Sequence, residues 1–358
     1  MTALPQPLAV YAITAVGAEL ARSLALSLPG ATLFLPRALA YQPDGEEPFD
    51  RLTQALAANF HHFGGHVVLA AAGIVVRALA PLLQSKTQDP AVVVVDQAGR
   101  FAVSLLSGHL GGANALARRV AELLGGQAVI TTATDTAGLP SLEMLAGELG
   151  LRVENLAALA KVSMSLLDGG QPAVLDPEGW LWPLLQRRWP GRFELLTPGQ
   201  EDSLTEKPLI WVGWRRITPP PAWLVLRPPA LMLGLGCNRG TSASEMEAFV
   251  KETLERQGLS AACLGRLASV RAKSDEPGLL ELAARLNLPL TFYSTEELAA
   301  VEVPNPSATV AKHMGVASVC EAAAMLAAGS RRLLVSKQKS PNVTLAVALK
   351  GPGAGSTS

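Results

Sequence analysis

Over residues 8–132 short apolar runs alternate with amphipathic stretches, and this alternation constrains the fold more than any other feature of the chain. Residues 8–14, 31–35, 66–71 and 128–132 have the length and side chains of strands. Residues 17–28, 48–61, 74–83 and 113–124 carry the spacing of amphipathic helices. Residues 91–96 and 101–106 read as a hairpin turned at 97–100. Strands that alternate with helices predict a layered α/β domain with a mostly parallel sheet.

From 139 to 227 the character changes. Prolines become dense, and all six tryptophans fall there: Trp180, Trp182, Trp189, Trp211, Trp214 and Trp223. Short strands between turns suggest a smaller, irregular α/β module. Residues 217–221 and 227–229, rich in proline, read as linkers. Strand and helix spacing then resumes. Strands fit 231–235, 290–293, 333–336 and 343–349; helices fit 242–257, 277–287, 307–314 and 318–328. The expected organisation is therefore two α/β domains with mostly parallel sheets, 1–138 and 230–350, flanking a middle module, 139–229. Residues 351–358 form a flexible tail. No repeat relates the two α/β halves.

Composition narrows function by exclusion. Lys plus Arg and Asp plus Glu both number 30, so no net charge draws the chain to nucleic acid or an anionic membrane. Any anion must be held by a few well-placed groups. Hydrophobic residues at 49% suffice for packed cores, and no run reaches the roughly 18 apolar residues of a membrane span. The N-terminus has no basic residue before its apolar run and reads as strand and turn, not as a signal peptide. Cys237, Cys263 and Cys320 are far apart, without a CxxC pair. This argues against a disulfide framework or a cysteine zinc site and fits a reducing cytoplasm.

Three strand-end turns in the first domain hold residues suited to chemistry. Ser107, Gly108, His109, Gly111, Gly112 and Asn114 follow a strand and open a helix. Glycines allow close approach to a ligand, free N–H groups at a helix start attract anions, and an imidazole there can move protons. The alternative is a glycine-rich turn with a structural histidine. Thr131, Thr132, Thr134 and Asp135 follow the strand at 128–132, where they can orient water; Thr134 or Asp135 can equally cap a helix. Arg77 can pair with a substrate carboxylate or belong to a structural ion pair.

In the C-terminal domain, Gly234, Gly236, Cys237, Arg239, Gly240 and Thr241 again join strand, glycine loop and helix. The GxGxxxG spacing departs from the dinucleotide fingerprint, and an anion cradle using backbone N–H groups and Arg239 is physically sounder. Lys273 and Glu276 lie in a polar turn before a helix, and Lys337 and Lys339 sit near a strand end; each lysine reads either as a carboxylate ligand or as solvated surface. Ser307 reads as a helix cap rather than a nucleophile, and His313 as core, surface or functional. His61, His62 and His66 lack secure metal spacing because Gly64 and Gly65 separate them. No GxSxG elbow and no Walker A motif is present.

The run from Gly73 to Asp135 closely resembles the N-terminal domain of the CbiG family of cobalamin biosynthesis. LGLGCNRGTSASEME, ASVRAKSDEPGLLELA and LLVSKQK with VTLAVAL resemble its C-terminal domain, which is itself similar to the stand-alone CobE protein. The middle segment resembles the family more weakly. The resemblance implies a hydrolase acting on cobalt-precorrin-5A in the oxygen-independent route. Such an enzyme opens a δ-lactone formed by a ring-A acetate and expels the meso carbon with its methyl group as acetaldehyde, leaving cobalt-precorrin-5B. Family motif positions carry over as His109 and its loop, residues 131–135, the 234–241 loop, Lys273, Glu276, Lys337 and Lys339. Asn238 departs from the family pattern, in which a basic residue is frequent.

A flat apolar ring edged by carboxylates suits an apolar slot with scattered cations and N–H donors. Cobalt arrives with that substrate, so no cofactor or resident metal is expected. Other enzymes of the pathway enter as partners for transfer of the intermediate, with no role for nucleic acid or membrane. The expected mechanism has His109 as general base on water, loop N–H groups on the oxyanion, and Asp135 orienting His109 or water. Two competing readings are a non-catalytic corrinoid carrier and a nicotinamide-dependent enzyme using Gly234 to Gly240.

Overall fold

The computed structural model describes residues 4–41, 45–85, 88–109, 111–201, 204–305 and 318–353. The expected helix at 307–314, with Ser307 and His313, lies outside them, as does most of the 351–358 tail. The chain divides into two compact units, Met1–Met144 and Leu145–Ser358.

The first unit is built on a seven-stranded sheet of order β3-β2-β1-β4-β5-β6-β7. Its strands are β1 (Leu8–Ala12), β2 (Ala31–Pro36), β3 (Glu46–Phe49), β4 (Gly65–Leu69), β5 (Ala91–Val95), β6 (Phe101–Leu106) and β7 (Gln127–Val129). All neighbours are parallel except β5 and β6, the expected hairpin. Its turn is held by Asp96, whose carboxylate accepts the N–H groups of Ala98 (3.2 Å) and Phe101 (2.6 Å). Because the chain reverses there, β6 and β7 run against the other five strands. Their carboxyl ends open on the edge where β4 and β5 begin. Leu8, Val10 and Val93 face one core with Ala21, Leu24, Leu116 and Val120 from helices Ala15–Ser27 and Ala113–Leu124. Tyr11, Phe34 and Val68 face another with Leu56 and Val75 from Leu52–Asn59 and Ala72–Leu79.

The second unit holds two sheets. One has the order β10-β9-β11-β12-β8, from β8 (Arg152–Val153), β9 (Ala173–Leu175), β10 (Glu194–Leu195), β11 (Leu209–Val212) and β12 (Trp223–Arg227), parallel except for β8. The other has the order β15-β14-β13-β17-β16, from β13 (Leu231–Cys237), β14 (Leu264–Val270), β15 (Leu290–Tyr293), β16 (Leu333–Lys339) and β17 (Val343–Leu349). Here β13, β14 and β15 are parallel, while β17 runs antiparallel to β13 and β16. Helix Val319–Ala328 covers one face through Cys320, Ala324 and Ala328. Helices Ala243–Arg256 and Pro277–Leu286 cover the other. The α/β class with mostly parallel sheets is as expected.

Three local expectations are corrected. Residues 48–51 are not helical: Glu46–Phe49 forms an edge strand, where Pro48 loses no needed ladder bond, and the helix starts at Leu52. The helix read to residue 83 stops at Leu79, with Ala80 as its cap just before Pro81. Residues 227–229 are no loose linker. Arg227 is 1% exposed, donates to the carbonyls of Gly213 (3.1 Å) and Arg215 (2.5 Å), and pairs with Glu154.

Candidate active site

At the end of β6 the chain makes a tight loop into helix Ala113–Leu124. Ser107 takes a left-handed conformation (φ 56°), held by its hydroxyl on the Asp89 carbonyl at 2.8 Å. Gly112 takes φ 86° as the residue before the helix. The N–H groups of Gly112, Ala113 and Asn114 donate to the carbonyls of His109 (3.0 Å), Ser107 (3.1 Å) and Gly108 (3.0 Å). These donors are therefore spent inside the loop, and the expected oxyanion cradle of helix-start N–H groups does not form from them. Gly108 serves packing: a Cβ there would lie 2.7 Å from the Asn114 amide oxygen. Gly111 likewise lies close against Ser107.

The packing brings together residues from three segments. Asn114, 5% exposed, accepts the Ser104 hydroxyl (2.7 Å) and donates to Thr132 Oγ1 (3.0 Å) and Asp135 Oδ2 (2.9 Å). Asp135 Oδ2 also meets His109 Nε2 at 2.9 Å, while its Oδ1 accepts Arg118 at 2.7 Å. The other ring nitrogen, His109 Nδ1, meets Glu143 Oε1 at 3.0 Å. Thr134 Oγ1 lies 3.3 Å from His109 Nε2. Thr132, not Thr134 or Asp135, occupies the cap position of the short helix Ala133–Thr136, so the plain capping reading of those two is corrected.

A ring with a carboxylate on each nitrogen is stabilised as imidazolium, donating on both sides. The Glu143 hydrogen bond raises the His109 pKa most; burial opposes it, and the Asp135 hydrogen bond adds to the rise. Burial works against ionisation of Asp135, but Arg118 and His109 together outweigh it and hold the carboxyl below its usual range. Glu143 is held low in the same way: burial works against ionisation, and His109, the Glu143 backbone N–H and Ser141 together outweigh it. The two carboxylates favour the protonated ring, which can give a proton to a departing oxygen; once neutral, the same ring can accept one.

Sequence reading placed Gly108, His109 and Asn114 in one turn and Thr132 and Asp135 in another, with Asp135 orienting His109 or water; the structure brings the two turns together. It missed Glu143, Arg118 and Ser104. Arg118 had a signal, since it follows Asn114 by four residues on one helix face. Glu143 had none: it lies on helix Leu142–Glu148 beyond a proline turn. Arg77 stays apart. It is exposed and donates to its own helix at Gly73 O (3.0 Å). His66 is fully buried against Tyr11 and Phe60, and burial pushes its pKa down to about 4; it is a core residue.

In the second unit the 234–241 loop is a different object from the one expected. Gly234 and Gly236 belong to β13. Gly234 abuts the backbone of Cys320 and Ala324, and a Cβ on Gly236 would meet Thr344 Oγ1 at 2.6 Å. These glycines let a helix and a neighbouring strand approach. The cradle is already filled by the protein's own carboxylate: Glu276, 1% exposed, accepts the Gly240 N–H at 2.8 Å. Lys273 lies 3.6 Å from its other oxygen and Arg239 3.9 Å. Arg239 also binds both Asp275 oxygens at 2.9 Å. Thr241 Oγ1 donates to the Asn238 carbonyl at 2.8 Å. Cys237 is half-buried beside this cluster, and burial pushes its thiol up. Cys237, Arg239, Gly240, Lys273 and Glu276 thus form one neutralised cluster. Lys337 and Lys339 lie on β16, half-buried and exposed, with no ion pair among the described residues. The Lys337 N–H donates to the buried Glu321 carboxylate at 2.9 Å. Among the described residues, no group of three His, Cys, Asp or Glu stands ready for a metal.

Comparison with known proteins covers nearly the whole chain. Residues 54–135 match the cobalamin synthesis G N-terminal family, 140–228 the cobalamin biosynthesis central region, and 231–348 the cobalamin synthesis G C-terminus. A cobalt-precorrin-5A hydrolase of Priestia megaterium is 33% identical over 352 residues, 95% of this chain and 94% of that protein. One of Salmonella typhimurium is 34% identical over 357 residues, 97% and 99% of the two chains. Protein CobE of a Sinorhizobium species is 36% identical over 124 residues, 34% of this chain and 80% of that protein.

Proposed function

The chain belongs to the cobalamin synthesis G (CbiG) family, and from that premise we propose that it is a cobalt-precorrin-5A hydrolase. It opens the δ-lactone of that corrinoid and releases acetaldehyde, leaving cobalt-precorrin-5B. One observation carries the assignment of the chemistry: each ring nitrogen of His109 meets a carboxylate, Asp135 on one side and Glu143 on the other, at a strand-end loop, and this favours the imidazolium. Water adds to the lactone carbonyl and loses one proton to solvent. As the ring opens, the His109 imidazolium protonates the departing oxygen, giving a carboxyl group and a free alcohol. His109, now neutral, takes the alcohol proton back. The carbon–carbon bond then breaks, the aldehyde leaves, and the macrocycle holds the electron pair until it is protonated. One histidine thus serves as acid and then as base, and its two carboxylates keep the ring fixed and ready to be recharged.

Cobalt enters as part of the substrate. Lys337 and Lys339, which have no internal ion pair among the described residues, are available to its carboxylates. The reaction belongs in the cytoplasm, in keeping with three free thiols, and hand-over of the intermediate involves other enzymes of the same route. The test is incubation of the purified protein with cobalt-precorrin-5A and an assay for acetaldehyde. Stoichiometric release, cut about 100-fold or more by His109→Ala, is expected. Corrinoid bound without acetaldehyde would make the protein a carrier, and undiminished release by His109→Ala would remove the histidine from the chemistry.

A further inference from the structure

The middle sheet has a topological switch that the reaction above does not use. After β9 the chain places β10 on one side of it; it then crosses back to place β11 on the other side, parallel to β9. In open α/β sheets the crevice outside the carboxyl ends of such a strand pair is where ligands sit. A cleft of about 510 Å³ lies there, walled by Leu175, the last residue of β9, by Pro177 beyond it and by residues 211–217 at and beyond the end of β11. Its lining includes Trp211, Trp214, Arg215, Arg216 and Arg332.

The charges in this cleft are not balanced. Arg332 is neutralised by Glu178 at 2.7 Å, while Glu201, which accepts the Gly199 N–H at 2.6 Å, keeps its charge, so three guanidinium groups face two carboxylates in the lining. Arg216 has a loose contact with Glu255 at 3.8 Å, both side chains being more than half exposed. Arg215 has no ion pair among the described residues; its guanidinium lies 5.3 Å from the centre of the half-buried Trp214 ring. An indole wall beside one unpaired guanidinium and one loosely paired one suits a flat ligand with acidic substituents, which gains apolar contact and charge-assisted hydrogen bonds together.

We propose that this Trp–Arg cleft of the middle module is a binding site for the carboxylate-bearing edge of a planar tetrapyrrole-type macrocycle. The choice of macrocycle rests on the hydrolase reading; the preference for a planar polycarboxylate rests on the cleft alone. The site gives the middle module a task in substrate capture, separate from the acid–base chemistry at His109.

All six tryptophans lie between residues 180 and 223, so every indole that the titration follows belongs to the second unit. The full-length protein is titrated at low ionic strength with dicyanocobyrinic acid, a cobalt corrinoid whose peripheral side chains are free carboxylates. Its fully esterified form is the uncharged control. Saturable quenching by the acid is expected, with weaker binding of the ester. Arg215→Glu should raise Kd about tenfold or more, and Arg215→Lys should stay within about threefold of wild type. Arg215 is exposed, and its backbone carbonyl, which Arg227 uses, is untouched by either change. Arg216→Glu should weaken binding in the same direction. His109→Ala, which stops turnover on the hydrolase reading, should bind the probe like wild type. An unchanged Kd for Arg215→Glu, equal binding of acid and ester, or loss of probe binding in His109→Ala would each overturn the site. Failure of acetaldehyde release with the titration intact would count against the hydrolase reading instead.

Discussion

Replacing Glu143 by Gln probes the site most directly, because it removes one charge and keeps the shape. Glu143 Oε1 lies 3.0 Å from His109 Nδ1, with side-chain exposures of 13% and 17%, so the pair is shielded from solvent without being fully buried. A hydrogen bond to an ionised partner stabilises by about 1.5–3 kcal/mol, a neutral one by about 0.5–1.5 kcal/mol. The imidazolium should therefore lose about 1–2 kcal/mol of stabilisation relative to the neutral ring, roughly five- to thirtyfold in their ratio. Asp135 remains at the other nitrogen, so the ring stays in place.

The expected consequence is selective in pH. His109 has a raised pKa, so the reactive cation persists above the ordinary histidine range and is lost as pH rises through the folded value. In Glu143→Gln that loss begins at lower pH. Acetaldehyde release on the alkaline limb should fall about tenfold, while on the acid plateau it should stay within about twofold of wild type. Coupling acetaldehyde to an alcohol dehydrogenase and following NADH oxidation measures both. An equal fall at both pH values, or an alkaline limb that does not move, would refute the role of Glu143 in holding the charge.

Three further outcomes follow from the same contacts. Gly108→Ala drives a methyl group against the buried Asn114 amide at 2.7 Å and should destabilise the first unit by about 1–3 kcal/mol, read by amide exchange in helix Ala113–Leu124. Asp135 and Glu143 have depressed pKa values, so their stabilisation is complete above the usual carboxyl range and lost as pH falls through the folded values. That of His109 is complete below its usual value and lost as pH rises through the folded one. Protection in that helix should thus form a plateau that falls on both sides, and a flat profile from strongly acid to alkaline pH would contradict it. Glu276→Gln leaves Lys273 and Arg239 beside a neutral amide and should destabilise the second unit by about 2–4 kcal/mol in urea. Trp180 and Trp214, packed against that core, report the transition by fluorescence.

What could be read without coordinates depended on whether the deciding interaction was local. Helix Ala113–Leu124 was legible to the residue, because Gly112 and Gly125 bracket it in left-handed conformations that glycine accepts freely. The meeting of His109 with Asp135 was one of two readings open in the sequence, and the parallel pairing of β6 with β7 is what brings the two side chains within 2.9 Å. Strand β14 escaped notice because Gly265 and Arg266 interrupt its apolar run, and Gly265 is needed where the backbone of Pro229 passes. Glu143 was invisible, because the fold brings it to His109 across 34 residues with no shared periodicity.

The larger difficulty lies in counting donors and cations as if all were available. In the first unit the helix-start N–H groups are consumed by loop carbonyls, and in the second the Gly240 N–H, Lys273 and Arg239 are consumed by Glu276 and Asp275. Buried polar groups seek partners inside the protein before any ligand arrives. Recognition of an acidic ligand therefore falls to cations that the fold does not neutralise. Lys337, Lys339 and Arg215 meet that condition among the described residues, and none of them lies in the glycine loops that the sequence makes conspicuous. Conserving a glycine loop's shape and binding a carboxylate are thus separate demands in this chain, met by different residues.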